Sequence, residues 1–419
     1  MAVKRDTTIR RRKPPRPSTE DAQSNPDGPT LTPVRRRRRR NPFLRALARL
    51  TVVAVLIFCG VLLWQNWDLI EPESVIYWIN DKLAGGQSGD GFPVDINGSS
   101  VLNMEKTKDG LALLTDTSLV VFNQKGGEVF RRQHGFSNPI LRTNGRWLLM
   151  ADVGGNRLKI ETRASTPIEM KLDNYITSAS IAGNGNFAVV TGSSSGYASE
   201  VMVYNRKKEI IYGWCDKELS IFDAALSPDG KSMAVVGIQA ESGAMKSFLK
   251  IFDFDKMDPV SLYEGTDVML LSVGYFPNGT VAAVGDRELW VMNKKGTIQS
   301  KHNYEDRQLA GYVLGDSSIS VALRDYGGSQ SGTVMTVNPS GDLAYTMPFK
   351  GAFRSLASYN SGILLLTSDH LYRADTAGTR YTADPIRDGR MVSHFGKRVI
   401  VLGLTSLSEC DLPTAADKN

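Results

Sequence analysis

The chain repeats one short unit, and this repeat constrains the fold more than any other feature of the sequence. The clearest copy is "LSPDGKSMAVV" (226–236), in which a Pro-Asp-Gly turn joins a short apolar segment to a strongly apolar, β-branched one. A loop and then a strand ending at a charged turn follow. A spacing of roughly 30 to 45 residues between copies is typical of solenoids and propellers. Clear copies begin at residues 101, 178 and 271, and weaker ones near Asn138, Leu309, Phe353 and Met391.

Each copy contains four short strands with turn residues at both ends, which predicts the blade of a β-propeller and argues against helical repeats. We therefore expect an all-β propeller of eight four-stranded blades. Seven blades is the alternative if one weak copy is misassigned. The last copy ends after its third strand, and "GFPVDING" (91–98) resembles a fourth strand. Closure by one N-terminal and three C-terminal strands would remove the open edge of the ring.

Three segments carry a resemblance to a known family. They are "GFPVDING", "GYASEVMVYNRKKEIIYGW" (196–214) and "LSPDGKSMAV". Through them, residues 92–410 resemble an uncharacterised bacterial family of membrane-anchored, WD-repeat-like propellers. The resemblance implies the propeller fold and a single-pass anchor. It supplies no catalytic residues, so none is assigned.

The first 90 residues are predicted to lie outside the propeller. Residues 1–43 are rich in Arg, Pro, Ser and Thr and lack an apolar period, which predicts a disordered tail. Residues 44–67 are predicted to be a transmembrane signal anchor, because Leu50 to Trp67 carry no charge and would reach about 27 Å as a helix. A buried helix of a soluble protein is the alternative. The remaining expected parts are a short amphipathic helix with a Gly/Ser linker at 68–90, the propeller at 91–412 and a disordered end at 413–419.

The charges around the apolar segment predict its orientation. Eight arginines lie within residues 35–49, directly before it, whereas Asp68, Glu71 and Glu73 follow it, so the positive-inside rule places the N-terminus in the cytoplasm and the propeller outside. No small-residue cleavage site follows the segment, which argues against a cleaved signal peptide. A basic run also binds nucleic acid, but beside a span we expect it to set topology and contact anionic lipid. These residues are Arg35, Arg36, Arg37, Arg38, Arg39, Arg40, Arg45 and Arg49.

Patterns for catalysis and metal binding are sparse. The four histidines, His134, His302, His370 and His394, fall in different copies without metal-ligand spacing. The Asp-x-Gly-Gly segments that begin at Asp152 and Asp325 lack the alternating acids of a calcium loop, so plain turns are expected. The three cysteines lie far apart and predict no disulfide framework. We expect neither a cofactor nor a metal.

The segments between the second and third strands of a unit are the expected binding region. Those at 191–200, 237–248 and 324–332 are long and rich in Gly and Ser, and binding concentrates in such loops on a rigid scaffold. The alternative is that they are mobile hairpin tips without a ligand. The candidate contact residues are Tyr197, Ser199, Glu241, Lys246, Tyr326 and Gln330.

Two functions of different classes follow. The first is a non-catalytic scaffold outside the membrane that binds envelope proteins, peptides or wall polymer, favoured by the scattered histidines and the lack of a cofactor motif. The alternative is an extracytoplasmic hydrolase, lyase or oxidoreductase with its site in the propeller channel, because such enzymes draw residues from many blades and leave no local motif. The anchor is expected to enter the ring through a fourth strand, which would turn the long loops away from the membrane unless the linker wraps around the ring.

Overall fold

The chain divides into two units, Met1–Trp67 and Asp68–Asn419. In the first unit, residues 49–55 and 57 are helical. Within the described residues, no helix combines the length and apolar character needed to cross a membrane. The predicted tail, most of the predicted span and of the 68–90 segment, and the predicted disordered end at 413–419 lie outside the described residues, so they stay predictions. The computed structural model describes residues 49–55, 57, 89–96, 100–108, 110–192, 196–241, 243–327, 330–360, 362–383 and 388–411.

The second unit consists of antiparallel four-stranded sheets, numbered here as blades in chain order. After β1 (Val94–Asp95), blade one is β2 (Val101–Lys106), β3 (Gly110–Thr115), β4 (Ser118–Asn123) and β5 (Glu128–Gln133). Blade two is β6 (Pro139–Asn144), β7 (Trp147–Asp152), β8 (Arg157–Glu161) and β9 (Ile168–Lys171). Blade three is β10 (Ile176–Ile181), β11 (Phe187–Thr191), β12 (Ser199–Tyr204) and β13 (Ile210–Asp216). Blade four is β14 (Ser220–Leu226), β15 (Ser232–Glu241), β16 (Ala244–Asp253) and β17 (Ser261–Gly265).

The other half of the ring repeats the same order. Blade five is β18 (Leu270–Tyr275), β19 (Val281–Gly285), β20 (Glu288–Met292) and β21 (Ile298–Asn303). Blade six is β22 (Gln308–Leu314), β23 (Ile319–Arg324), β24 (Ser331–Val337) and β25 (Leu343–Lys350). Blade seven is β26 (Phe353–Tyr359), β27 (Gly362–Thr367), β28 (Leu371–Ala374) and β29 (Arg380–Ala383). Blade eight has β30 (Met391–Phe395), β31 (Arg398–Leu402) and β32 (Ser406–Cys410).

The ring closes through blade eight. Strand β1 pairs antiparallel with β32, Val94 opposite Leu407 and Asp95 opposite Ser406, and it forms the fourth strand of that sheet. An apolar cluster then joins blade eight to blade one, with Ile400 packed in the same cluster as Leu111. The eight blades and the closure by an N-terminal strand are therefore confirmed.

The second strand of each blade explains the most apolar stretches of the sequence. Strands β3, β7 and β27 are buried along their whole length. Each blade packs against a neighbour on both faces, so both sets of alternating side chains leave water and the strand reads as a continuous apolar run. Apolar clusters between successive blades make up the core.

The motif "LSPDG" is the first hairpin turn of blade four. The Ser227 hydroxyl donates to Asp229 Oδ1 at 2.6 Å, and the Gly230 amide donates to the Ser227 carbonyl at 2.9 Å. Gly230 has φ of 68°, a conformation that side chains disfavour. The turn is part of the architecture and lies on the side of the ring opposite the expected binding loops.

One predicted loop is wrong. Residues 237–248 mostly continue two ten-residue strands, β15 and β16, which stay paired as far as Glu241 opposite Ala244. Gly and Ser in this stretch suggested a loop, but the strand pairing continues through Gln239 opposite Lys246, and the Lys246 ammonium bridges Glu241 and Glu264. Only residues 242–243 connect the two strands.

Candidate functional site

The ring has two faces made of different connections. The loop face is defined here by the segments that join the second to the third strand of a blade and the fourth strand to the next blade. The turn face is defined by the segments that join the first to the second strand and the third to the fourth. The first strand of each blade lies innermost and lines the central channel.

Two neighbouring grooves mark the loop face. The first, which we call the blade-five groove, has a volume of about 540 Å³ and lies between the loops of blades five and six. The second, the blade-six groove, has a volume of about 350 Å³ and lies towards blade seven. Tyr326 and Arg324 line both grooves. Tyr326 is 64% exposed and stands on the ridge between them.

The connection that borders the blade-five groove is strained. Glu305 and Asp306 both have left-handed backbones, with φ of 53° and 63°. Asn303 Oδ1 accepts the Glu305 amide at 2.7 Å, and Arg307 bridges Glu305 and Asp325 at 3.4 Å each. Two consecutive non-glycine residues in this conformation cost about 1–2 kcal/mol each. Residues with such backbone strain are often found at binding sites, which makes this groove a candidate binding site on the loop face.

The predicted contact residues are spread over three blades. Tyr326 and Gln330 share the blade-six groove. Tyr197 lies on the loop face of blade three and is 38% exposed. Glu241 and Lys246 lie at the tip of the blade-four hairpin, where their ion pair at 2.8 Å, together with Glu264, raises the pKa of Lys246.

Ser199 is a correction. It is the first residue of β12, it is buried, and its hydroxyl accepts the Ile221 amide at 3.0 Å. The Gly/Ser composition before it suggested a loop, but the strand begins at this residue. Its hydroxyl joins blade three to blade four and is not available to a partner.

The channel holds polar side chains that sequence patterns did not single out. Asp223 of β14 accepts hydrogen bonds from the Ser178 hydroxyl at 2.8 Å, from the Ser272 hydroxyl at 2.6 Å and from the Val273 amide at 3.2 Å. One carboxylate therefore ties blades three, four and five together. Its only signal in the sequence is a lone acid within the apolar first strand "SIFDAAL".

Glu105 is the second carboxylate of the channel. The pKa of Glu105 is raised, chiefly by burial. A hydrogen bond that the Asn103 side-chain amide donates to Glu105 Oε1 at 3.2 Å and the charge of Arg142 lower it in part. Across the channel, burial raises the pKa of Tyr312, whose hydroxyl is hydrogen-bonded to Ser272. The channel thus combines carboxylates, a cation and a phenol contributed by different blades.

Three of the four histidines have structural partners. His134 is buried; its Nδ1 accepts the Phe136 amide at 3.0 Å, and its Nε2 contacts the Thr115 carbonyl at 3.1 Å. His302 contacts the Gly341 carbonyl at 2.8 Å. Burial, followed by nearby Lys106, lowers the pKa of His394. These side chains hold loops and neighbouring strands.

Metal and thiol chemistry has little support in the described part of the chain. No group of three or more His, Cys, Asp or Glu there is arranged to hold a metal. Asp152 Oδ1 accepts the Ser137 and Asn138 amides at 2.9 Å each, and the Gly155 amide donates to the Asp152 carbonyl at 3.0 Å, which closes a plain turn. Cys215 and Cys410 are free and lie in blades three and eight. Burial raises the pKa of the Cys410 thiol to about 11, which makes it a poor nucleophile.

Eight four-stranded blades closed into a ring define this chain as a β-propeller. Residues 92–397 match the Family of unknown function (DUF5711), and the chain belongs to that family. The predicted resemblance is thereby confirmed for the propeller fold and an uncharacterised family, while bacterial origin and anchoring stay predictions. No curated protein matches the chain in sequence.

Solved structures share the fold, among them the following two. BamB from Moraxella catarrhalis is 10% identical, with a TM-score of 0.50 over 76% of this chain and 100% of that one. The C-terminal WD40 domain of Sif2 is 11% identical, with a TM-score of 0.54 over 77% of this chain and 99% of that one. At these identities the similarity concerns the fold alone.

Proposed function

We propose that this chain is a non-catalytic scaffold, anchored in a membrane and displayed outside the cytoplasm, that binds a protein or peptide through its loop face. The pair of grooves separated by the exposed Tyr326 carries the proposal. Tyrosine gives a large, partly polar contact area at low entropic cost and is enriched at interfaces. The strained Glu305–Asp306 connection supports it further.

Apolar side chains extend the proposed surface around the loop face. Interfaces typically have an apolar centre within a polar rim. Leu271 lines the blade-five groove beside Tyr326. The large apolar side chains exposed in or next to loop-face segments are Leu102, Tyr175, Tyr197, Met245, Met269, Leu271, Tyr326 and Leu404.

The charge of the loop face favours a basic partner. Among the described residues of its connecting segments, the acids outnumber the bases ten to four. Complementary charge speeds encounter and excludes partners of like charge. The acids are Asp116, Asp173, Glu218, Asp267, Asp286, Glu305, Asp306, Asp325, Asp369 and Asp388, and the bases are Lys217, Arg287, Arg307 and Arg390.

The proposed location rests on two features. The uncharged stretch Leu50–Trp67 and the arginines before it support a single span with the propeller outside. The chain then reaches the ring on the turn face, where the Gly91 amide donates to the Lys125 carbonyl at 3.0 Å. Both features favour a loop face turned towards a partner away from the bilayer.

An enzyme is the second candidate, and Glu105 is the observation that favours it. Glu105 is partly buried, and a carboxyl with a raised pKa keeps its proton to a higher pH than usual, which suits a proton donor. We place this function second because Asp223, the other channel carboxylate, already accepts three hydrogen bonds that join blades.

The test is crosslinking in intact cells followed by capture of the full chain. Partner recovery with a Tyr326→Ala, Leu271→Ser variant is expected to fall at least about tenfold, since buried aromatic anchors dominate binding energy. The matched control is Leu262→Ser, Leu343→Ala, which alters exposed apolar residues of outer strands. Equal recovery of the same partner by the two variants, or no partner at all, would reject the scaffold.

A further inference from the structure

Five described turns of the turn face share one construction, and three of them also hold a lysine. In blades one, three and five, the turn between the third and fourth strands begins with Asn123, Asn205 and Asn293. Each asparagine Oδ1 accepts the amides two and four residues later, at 2.7 and 3.0 Å in blade one and at 2.9 and 3.0 Å in the other two. The side chain thereby fixes the turn. The residue two positions after each asparagine is an exposed lysine, Lys125, Lys207 or Lys295.

The turn of blade three departs from the others at its left-handed position. Turns of this type place a left-handed residue before the fourth strand, and glycine is the usual choice. Blades one and five use Gly126 and Gly296, with φ of 75° and 76°. Blade three has Lys208 there, with φ of 65°. The lysine keeps a conformation that side chains rarely adopt, which points to a use for its charge.

Positive charge accumulates over most of the turn face. Among the described residues of its connecting segments, blades eight and one to five contribute twelve bases and four acids. Blades six and seven contribute three acids and no base: Asp316, Asp342 and Asp375. We call the first set the basic arc. Its bases are Lys108, Lys125, Arg146, Arg163, Arg206, Lys207, Lys208, Lys231, Lys256, Lys294, Lys295 and Lys397, and its acids are Glu209, Asp229, Asp255 and Asp258.

The lysines of the basic arc are not neutralised within the described part of the chain. All nine are exposed, and none of them forms an ion pair with a described carboxylate. Lys208 reaches only a carbonyl, that of Glu169 at 3.4 Å. By contrast, Arg287 and Arg307 of the loop face pair with Asp286 and Asp325. These nine lysines therefore present positive charge to their surroundings.

Exposed apolar side chains accompany these lysines at the rim of blades three and four. Met257, beside Lys256, is 90% exposed, and its carbonyl accepts the Tyr212 hydroxyl at 3.3 Å. That bond joins the blade-four turn to β13, whose first residues, Ile210 and Ile211, are also exposed. Lysines with neighbouring apolar side chains are the combination that inserts shallowly into a bilayer interface.

We propose that the turn face is a membrane-contacting surface whose basic arc binds the anionic headgroups of the bilayer. The chain enters the ring on this face, where the Gly91 amide donates to the Lys125 carbonyl, and the membrane anchor proposed above precedes this entry point in the sequence. Electrostatic attraction to a charged leaflet falls off within a Debye length of roughly 8–10 Å. Because the turns are fixed on one face of a rigid ring, several lysines can come within a Debye length of the leaflet at the same time. This inference does not depend on the partner of the loop face.

The test uses the second unit alone, because every strand and the closure of the ring lie within it. Its binding to vesicles with 40% phosphatidylglycerol, roughly the charge of an anionic leaflet, is compared with its binding to phosphatidylcholine vesicles by co-sedimentation. The Lys207→Glu, Lys294→Glu, Lys295→Glu variant is expected to bind anionic vesicles at least about tenfold more weakly. The matched control, Lys171→Glu, Lys217→Glu, Lys350→Glu, makes the same charge change at exposed positions in or next to loop-face segments and is expected to bind like the wild type.

Three results would overturn the proposal. They are equal binding of the wild type to both kinds of vesicle, equal loss of binding by the two variants, and tighter binding to duplex DNA or soluble polyphosphate than to vesicles. The last would assign the basic arc to a nucleic acid or a free phosphate polymer. Circular dichroism and the unfolding midpoint confirm that each variant remains folded.

Discussion

Replacing Lys208 by glycine should stabilise the propeller while removing a positive charge. The equivalent positions in other blades are Gly126, Gly296, Gly341 and Gly378, with φ between 75° and 90°. A left-handed backbone costs an L side chain about 1–2 kcal/mol. The greater freedom of glycine in the unfolded chain offsets about 0.4–1 kcal/mol of this. The expected net gain for Lys208→Gly is therefore about 0.5–1 kcal/mol.

The assay is urea unfolding of the second unit, monitored by circular dichroism and by tryptophan fluorescence. Coincident curves from the two probes show that unfolding is a single transition. With a slope of about 3 kcal/mol/M, the gain shifts the midpoint upwards by about 0.2–0.3 M. Lys207→Gly is the matched control, because the backbone of Lys207 is not left-handed. It removes the same charge and is expected to be neutral or destabilising. A midpoint for Lys208→Gly at or below that of Lys207→Gly would refute the strain argument.

Three further predictions concern the channel and the closure. Asp223→Ala should lower the free energy of unfolding in urea by about 2–4 kcal/mol, because the hydrogen bonds that join three blades through a charged group are lost. Asp223→Asn should lower it by less. Glu105 has a folded-state pKa raised above the unfolded value of 4.5, so the stability it contributes is complete below pH 4.5 and is lost as the pH rises through the folded pKa. Glu105→Gln should remove that loss, and thermal unfolding against pH measures it; an unchanged profile would reject the role of Glu105. Removing residues 91–96 deletes β1 and leaves β32 as an open edge, so concentration-dependent association in light scattering is expected, and a stable monomer would contradict the closure.

The sequence predicted the architecture because each blade repeats the same physical requirements. The first hairpin needs a turn such as Pro228–Gly230, and the second strand needs apolar side chains on both faces, as in β3. Those requirements are local, so they recur visibly at each copy. The closing strand was predictable from the same logic, since the last copy lacked its fourth strand.

The candidate site was only partly predictable. Tyr326 and Gln330 lie in a true connection, whereas the hairpin of β15 and β16 continues through its Gly and Ser residues because strand pairing outweighs local propensity. The contacts of Asp223 span neighbouring blades and become visible only once strand register is known. The exception at Lys208 had a signal in the sequence: "NRKKE" aligns with "NQKGG" and "NKKGT", with lysine in place of glycine.

The central claim is that the two faces of the ring have different partners, and photo-crosslinking from one position on each face tests it most directly. A photoreactive amino acid replaces Tyr326 on the loop face or Lys295 on the turn face of the full chain in intact cells. We predict a discrete protein adduct from position 326 and lipid adducts without a protein adduct from position 295. A protein adduct from position 295, with none from position 326, would contradict the account.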